Sequence, residues 1–469
     1  MEVHIFFLPL LAPGHMLPML DMARLFADRG VRATMVTTPA NATLLLPTID
    51  RSGPNLNLLT IPFSSAVAGL PDGVENLTAF PIPDVTPAFI KALDLLEPPF
   101  RRLLDDHHPD CIISDIAYTW SSDIAADFGI PRLVFQGMGF LSLIITGVLS
   151  NFKTHEAVAG DDEPFVVPMI PHEIKLTRSQ LPTYVSNPDG NIEKMAEAQR
   201  RSYGMVMNSF YELEAEYVEF LKSAWRTRVW LVGPVSLRNQ DLLDQAARGS
   251  EAPAPTVSDH CLNWLDSKEP GSVLYVCFGS MGRFTSTQLH EMASGLQASG
   301  HPFIWVVKSS GESTPTVDGE KGLVINGWAP QVLILSHPAV GGFMTHCGWN
   351  SSMEGVTAGV PMITWPLFAE QFFNEKLIVD VLRIGVSAGL KRSCMEAEER
   401  GVVGGEEIEM AVKRLMGGDE EAMERKKRAK EMAEKAKMAV SEGGSSYRDI
   451  SALIEELVEF KKNKAEENK

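Results

Sequence analysis

The sequence predicts two doubly wound α/β domains facing each other across a cleft. Three observations predict it. Short, nearly continuous apolar runs alternate with stretches of helical periodicity, as in strands buried on both faces and joined by crossover helices. That alternation occurs in two separate series. Between them, Val235–Asp259 is rich in Ser, Asn, Gln, Asp, Gly, Pro and Ala with little periodicity, and Glu251-Ala252-Pro253-Ala254-Pro255 reads as a linker. The length of 469 residues suits two such domains of roughly 200–250 residues each.

The first series opens with the strand Val3–Leu8 and the loop Pro9–His15. Leu17, Leu20, Ala23, Leu25 and Phe26 recur at helical spacing, and Gly30 stands where a helix C-cap glycine belongs. Val31–Thr38 completes a βαβ unit, which implies a parallel sheet. Cys111–Ser114, a helix over Tyr118–Phe128 and Leu133–Phe135 repeat the pattern, and Val229–Val232 closes the series. The second begins at Ser272–Phe278. A helix near Ser286–Gln297 follows, then strands at Phe303–Val307, Leu323–Ile325 and Val340–Thr345. A helix from about Asn350, the strand Pro361–Trp365 and a helix over Gln371–Leu382 complete it. The tail, Asp419–Lys469, reads as two charged helices broken at Gly443–Ser446. The expected division is a first domain at 1–240, a linker at 241–257, a second domain at 258–445 and a terminal helix at 446–469 that packs back on the first domain.

Composition narrows the function. The chain is 45% hydrophobic and 22% charged, which rules out disorder or coiled coil as the whole answer. A formal net charge of -18 argues against a nucleic-acid partner and against broad attraction to anionic membranes. No apolar run reaches the ~18 residues of a membrane span, and the apolar start carries no cationic n-region of a signal peptide. The five cysteines are widely spaced with no C-x-x-C, against a disulfide framework or zinc site. The expected compartment is the cytoplasm.

The informative segment runs from Trp328 to Gln371, WAPQVLILSHPAVGGFMTHCGWNSSMEGVTAGVPMITWPLFAEQ. In His346-Cys347-Gly348-Trp349-Asn350-Ser351-Ser352 a strand ends, Gly348 permits a tight turn, and a helix opens. A helix N-terminus offers unpaired N–H groups and partial positive charge, an anion site. His346, Asn350 and Ser351 add donors, although Asn350 or Ser351 reads equally as an N-cap. Glu354 suits a ribose diol, or is a surface glutamate. Trp328 suits a stacked base, or is packing. Glu370 and Gln371 suit sugar hydroxyls, or simply start a helix.

Taken together, these 44 residues resemble, without a gap, the signature box of plant secondary-product UDP-glycosyltransferases. The resemblance spans nearly the whole chain, through FLPLLAPGHMLPMLDMARLF, Leu70-Pro71-Asp72-Gly73, Trp230–Val235, Tyr275–Ser280 and Gly443–Tyr447. It is greatest to the branch acting on flavonoids, triterpenoids and steroids. It implies a GT-B fold and a monomer. It also implies that Trp328 stacks on uracil with Gln331 at its edge, and that Glu354 binds the ribose. His346, Asn350, Ser351 and Ser280 hold the diphosphate, and Trp349, Glu370 and Gln371 contact the sugar. A closing Gln implies UDP-glucose, where His goes with UDP-galactose.

Transfer to an alcohol needs a base as the oxygen attacks the anomeric carbon. His15, at the carboxyl end of the first strand, is the candidate, and a loop histidine of purely structural role is the alternative. Asp115, at another strand end of the same sheet, can fix the imidazole tautomer, or can be a helix N-cap. The resemblance assigns the two as a catalytic dyad acting by single displacement with inversion, with UDP-glucose as donor substrate, a small hydrophobic acceptor, no further cofactor and no metal. Asp105-Asp106-His107-His108-Pro109-Asp110 precedes a strand at its amino end, away from the cleft. Acceptor-lining stretches are expected near Phe80–Phe89, Gly139–Ser150 and Leu181–Asn191. One departure concerns Met138, which stands where relatives usually carry a sugar-binding Thr. A catalytically silent nucleotide-sugar-binding protein, another UDP-sugar or C-glycosylation stay open. An NAD(P) oxidoreductase does not fit, because no G-x-G-x-x-G follows the first strand.

Overall fold

The computed structural model describes residues 2–79, 86–188, 190–239, 245, 255–307 and 317–467. The first sheet comprises β1 (His4–Leu8), β2 (Arg32–Thr37), β3 (Leu56–Thr60), β4 (Cys111–Asp115) and β5 (Arg132–Gln136). A small antiparallel hairpin, β6 (Phe165–Val166) with β7 (Lys175–Leu176), interrupts the series before β8 (Gly204–Met207) and β9 (Val229–Leu231). The seven strands run parallel in the order β3-β2-β1-β4-β5-β8-β9. The second sheet holds β10 (Val273–Cys277), β11 (Phe303–Val307), β12 (Gly322–Asn326), β13 (Val340–Thr345), β14 (Met362–Thr364) and β15 (Gly385–Ser387). These also run parallel, in the order β12-β11-β10-β13-β14-β15.

Each sheet therefore reverses its winding once, between β1 and β4 in the first and between β10 and β13 in the second. Crevices at such reversals are where open α/β sheets bind ligands. Strands β1, β4 and β5 are buried at every position, which explains their near-continuous apolar sequences.

Several elements differ in extent from the sequence reading. The first helix spans Pro13–Ala27, beginning four residues before its apolar periodicity. Pro13 stands in the first turn, where its fixed φ favours the helix and its missing N–H costs nothing. His15 thus lies on a helix, not in a loop. The helix expected over Tyr118–Phe128 spans only Ser121–Asp127. That expected over Gln371–Leu382 is α-helical to Lys376 and then a π-helical turn, Leu377–Val381. The 241–257 linker falls almost wholly outside the described residues.

One apolar cluster crosses between the sheets, joining Phe140, Ile144 and Tyr217 to Cys347, Trp349 and Phe373. The last helix, Ser445–Glu467, buries Ile450, Leu453 and Leu457 in the core of the first sheet. Its Asp449 accepts the Leu231 N–H at 2.8 Å, and the Ser446 hydroxyl donates to the Gly233 carbonyl at 2.6 Å. Among the described residues no helix is long and apolar enough to cross a membrane.

Candidate active site

The β1–β4 crevice brings His15 and Asp115 together. His15 Nδ1 lies 2.6 Å from Asp115 Oδ2, the carboxylate fully buried and the imidazole side chain 31% exposed. An ionised carboxylate only accepts, so Nδ1 carries the proton and Nε2 the lone pair. Burial pulls the His15 pKa down, but the Asp115 charge and its hydrogen bond outweigh it, Glu370 adds to them, and the net shift is upward. Asp115 is not a helix cap, since the next helix starts six residues on. Its other oxygen accepts the Ala117 N–H at 3.1 Å and fixes the turn. Gly137 supplies the floor beneath the ring, where an added Cβ would stand 2.7 Å from His15 Cε1.

The β10–β13 crevice is different in kind. The helix after β13 runs Trp349–Ala358 with Gly348 as its N-cap and no side-chain cap. Asn350 and Ser351 therefore lie inside the first turn, and neither is the cap. The His346 ring sits between two glycines. A Cβ on Gly279 would fall 2.7 Å from its Cε1, and one on Gly348 would clash with Nε2. Burial alone lowers its pKa to about 4, and its Nδ1 is buried without a hydrogen-bond partner. A neutral imidazole beside unpaired helix amides suits a diphosphate, which would satisfy these donors. Ser280, on the turn after β10, faces the same crevice from the neighbouring strand end.

Three more predicted residues form one group. The Gln331 amide donates to Glu354 Oε2 at 2.7 Å and to Ser351 Oγ at 3.1 Å, and Tyr275 donates to Gln331 Oε1 at 3.4 Å. Gln331 thus orients the ribose candidate Glu354. Trp328 is half-buried on the loop after β12, following Gly327 in the left-handed region.

The sugar candidates divide. Gln371, 4% exposed, accepts the Leu367 and Phe368 N–H groups on Oε1 at 2.8 and 3.1 Å, which leaves its amide nitrogen as the donor end of the side chain. Glu370 caps the helix Gln371–Lys376 without spending its carboxylate on the cap. Burial raises its pKa, opposed in part by His15 and Asn374. The Trp349 indole is already engaged within the protein. It is 4% exposed, donates to the Asn208 carbonyl at 2.8 Å and packs over Gly139. Only its backbone amide remains for a ligand. Asn350 likewise reaches across the cleft to the Gly14 carbonyl, one residue from His15.

Sequence reasoning missed Asn374 and two strained backbones. Asn374 accepts from Ser142 of the opposite half at 2.8 Å, donates to the Cys347 carbonyl at 2.8 Å and approaches Glu370 at 3.4 Å. Its place one helical turn after Glu370 was the only available signal. Cys347 and Ala369 have φ of 64° and 52° without being glycine. Each immediately precedes site residues, the usual location of stored backbone strain. Met138 packs on the core and offers no hydroxyl. The helix Phe140–Phe152 is mostly core, with Phe140, Ile144, Ile145 and Leu149 fully buried. The Phe80–Phe89 stretch falls largely outside the described residues. Asp110 accepts the His4 N–H at the amino end of β1, remote from both crevices.

The two crevices thus present a histidine held by a buried carboxylate on one side of the cleft and a neutral histidine at a helix N-terminus on the other. Residues 244–402 match the family model "UDP-glucoronosyl and UDP-glucosyl transferase". The chain is 46% identical to UDP-glucose flavonoid 3-O-glucosyltransferase 7 of Fragaria ananassa, over 97% of this chain and 96% of that one. It is also 46% identical to scopoletin glucosyltransferase of Nicotiana tabacum, over 97% and 98%. The crystal structure of Glycyrrhiza uralensis UGT73P12 with glycyrrhetinic acid 3-O-monoglucuronide superposes with a TM-score of 0.92 at 42% identity, covering 100% and 98%. The chain belongs to the UDP-glycosyltransferase family and has the GT-B fold.

Proposed function

We propose that this enzyme transfers glucose from UDP-glucose, with inversion, to a hydroxyl of a small hydrophobic acceptor of the flavonoid, triterpenoid or steroid kind. The observation that carries the reading is the His15–Asp115 pair, which presents Nε2 as a base at the mouth of the cleft. His15 takes the acceptor proton as its oxygen attacks C1 of the sugar, and Asp115 stabilises the imidazolium that forms. The leaving diphosphate is stabilised by the first-turn amides of Trp349–Ala358, by His346 and by Ser280. Asn350 and Ser351 add their side chains to the diphosphate, Gln331 holds Glu354 for the ribose, Trp328 receives the uracil, and Glu370 with Gln371 receives the sugar. These donors are enough to hold the charge without a metal or a further cofactor. The acceptor belongs to the 1–240 part and the donor to the 258–445 part, with 241–257 as linker and 446–469 as a terminal brace. The protein acts as a cytoplasmic monomer.

The test is mass spectrometry of products from purified protein, UDP-glucose and a panel of flavonoids, triterpenoids and steroids, with UDP-galactose, UDP-xylose and UDP-rhamnose in parallel. A gain of one hexose from UDP-glucose on a panel member is expected. Binding of UDP with no product from any donor would overturn the assignment in favour of a silent binding protein.

A further inference from the structure

Behind the dyad lies a buried cation that the mechanism above does not use. Arg132, the first residue of β5, is 2% exposed. Its Nε donates to Ser114 Oγ at 2.9 Å and its Nη1 to Ser202 Oγ at 2.8 Å. Its Nη2 donates to the carbonyls of Asp115 and Tyr118 at 3.2 and 3.4 Å. Ser114 in turn bonds Ser121 at 2.8 Å. All four acceptors are neutral. The guanidinium therefore grips the backbone of the β4 end, which carries Asp115, while its charge is matched by no carboxylate within bonding reach among the described residues.

A buried cation with neutral ligands is expensive if shape is its only purpose, since an apolar side chain of similar volume fills space at lower cost. The surrounding charges suggest another purpose. Facing Asp115 are His15 from the first helix, the Tyr118 phenol from its own turn, and Arg132 from β5. Glu370 faces His15 from the second domain, and Arg201 faces Arg132 but is paired with Asp123. Burial pulls the Arg132 pKa down to about 9, with the Asp115 charge opposing, so the group stays charged at neutral pH. When His15 is neutral, Arg132 is the one cation left facing the buried Asp115 among the described residues.

We propose that Arg132 is a positioning residue of the dyad: it holds the Asp115 turn through two backbone carbonyls and supplies a buried positive charge that opposes protonation of His15. Without that charge the His15 imidazolium is favoured, and the base stays protonated up to a higher pH. The proposal rests on His15 being the base.

The experiment is the pH profile of kcat/KM for wild type, R132M, R132K and H15A, with UDP binding as the check on folding. In R132M the acid limb should move up by roughly half to one pH unit, the scale of one lost neighbouring charge. Activity below the limb then falls about three- to tenfold more than activity above it. R132K keeps the charge and loses the fork, so its limb should stay within about 0.3 unit while its Tm drops. A uniform loss in R132M with an unmoved limb would leave Arg132 merely structural and overturn the proposal. So would an R132K limb that moves as far as that of R132M. If R132M does not fold, R132K decides alone: a limb raised by about one unit overturns the proposal. H15A separates the two readings. If H15A keeps wild-type activity, the base assignment fails and this proposal with it. If H15A is inactive and the R132M limb is unmoved, only the Arg132 proposal fails.

Discussion

The two crevices share a topology and put a histidine to opposite uses. In the first sheet the histidine follows β1 and the partner residue ends β4; in the second the histidine follows β13 and one flanking glycine, Gly279, follows β10. His15 is tied to a buried carboxylate and its pKa rises. His346 is wedged between Gly279 and Gly348 with no charged neighbour, and burial holds it neutral. The strand order decides only where a ligand can sit. What surrounds the histidine there differs: His15 meets a buried aspartate across the reversal, and His346 lies between Gly279 from across the reversal and Gly348 of its own turn. On the proposed mechanism this difference divides proton transfer and stabilisation of the leaving group between the two sheets.

The most direct way to break that division is H15A. Loss of a general base costs on the order of 10²–10⁴ in rate, so kcat should fall by about three orders of magnitude. UDP affinity, measured by calorimetry, should stay within about twofold, because the diphosphate cradle belongs to the other sheet. A large loss of UDP binding would place His15 in the donor site and collapse the comparison. Wild-type activity should itself fall as pH drops through the raised pKa of His15, because protonation removes the lone pair; activity that holds steady to pH 5 would contradict the base.

A smaller change sharpens the geometry. In G137A a methyl group would stand 2.7 Å from His15 Cε1, so the ring must shift. Displacement of a catalytic group by about 1 Å costs up to 10²-fold, and we expect kcat to fall roughly ten- to a hundredfold with the KM for UDP-glucose little changed. On the other side of the cleft, H346A should do the reverse. Loss of a hydrogen bond to a charged group is worth about 1.5–3 kcal/mol, which raises the KM for UDP-glucose about tenfold or more. If H346A altered kcat and its pH limb instead, the neutral-donor role would be wrong.

The same contrast explains what was legible in the sequence. Parallel strands buried on both faces write themselves as apolar runs, so β11 and β13 were read to the residue. Short edge strands do not: β15 is Gly385–Ser387, three residues without a pattern. The start of the first helix was misread because Pro13 and Gly14 look like loop, although proline in a first turn is itself a start signal. Site residues that hold a ligand through side chains stood out by type. Residues that act by absence or at a distance did not. Gly137 and Gly279 matter for the side chain they lack, and Asn374 for a contact 232 residues away in sequence.

The smallest expected effect concerns Gln371, the residue on which the donor sugar turns. Its position is set by two backbone N–H groups, of Leu367 and Phe368, converging on one side-chain oxygen. That fixes the amide orientation and leaves the nitrogen as the group that can donate to a sugar hydroxyl. Histidine in its place has one ring nitrogen able to accept, so it keeps at most one of the two anchoring bonds while the other nitrogen donates. The imidazole must then sit at a different angle, and its donor reaches a different hydroxyl. Glucose and galactose differ only in the direction of one hydroxyl, and discrimination of that size is worth about 1–3 kcal/mol. In Q371H the ratio of kcat/KM for UDP-glucose to that for UDP-galactose should fall several-fold, measured with both donors competing for one acceptor. The fall should come from KM and kcat of the glucose reaction together, with the pH limb of His15 unmoved. An unchanged ratio would mean that Glu370, on the other side of the same turn, sets the donor.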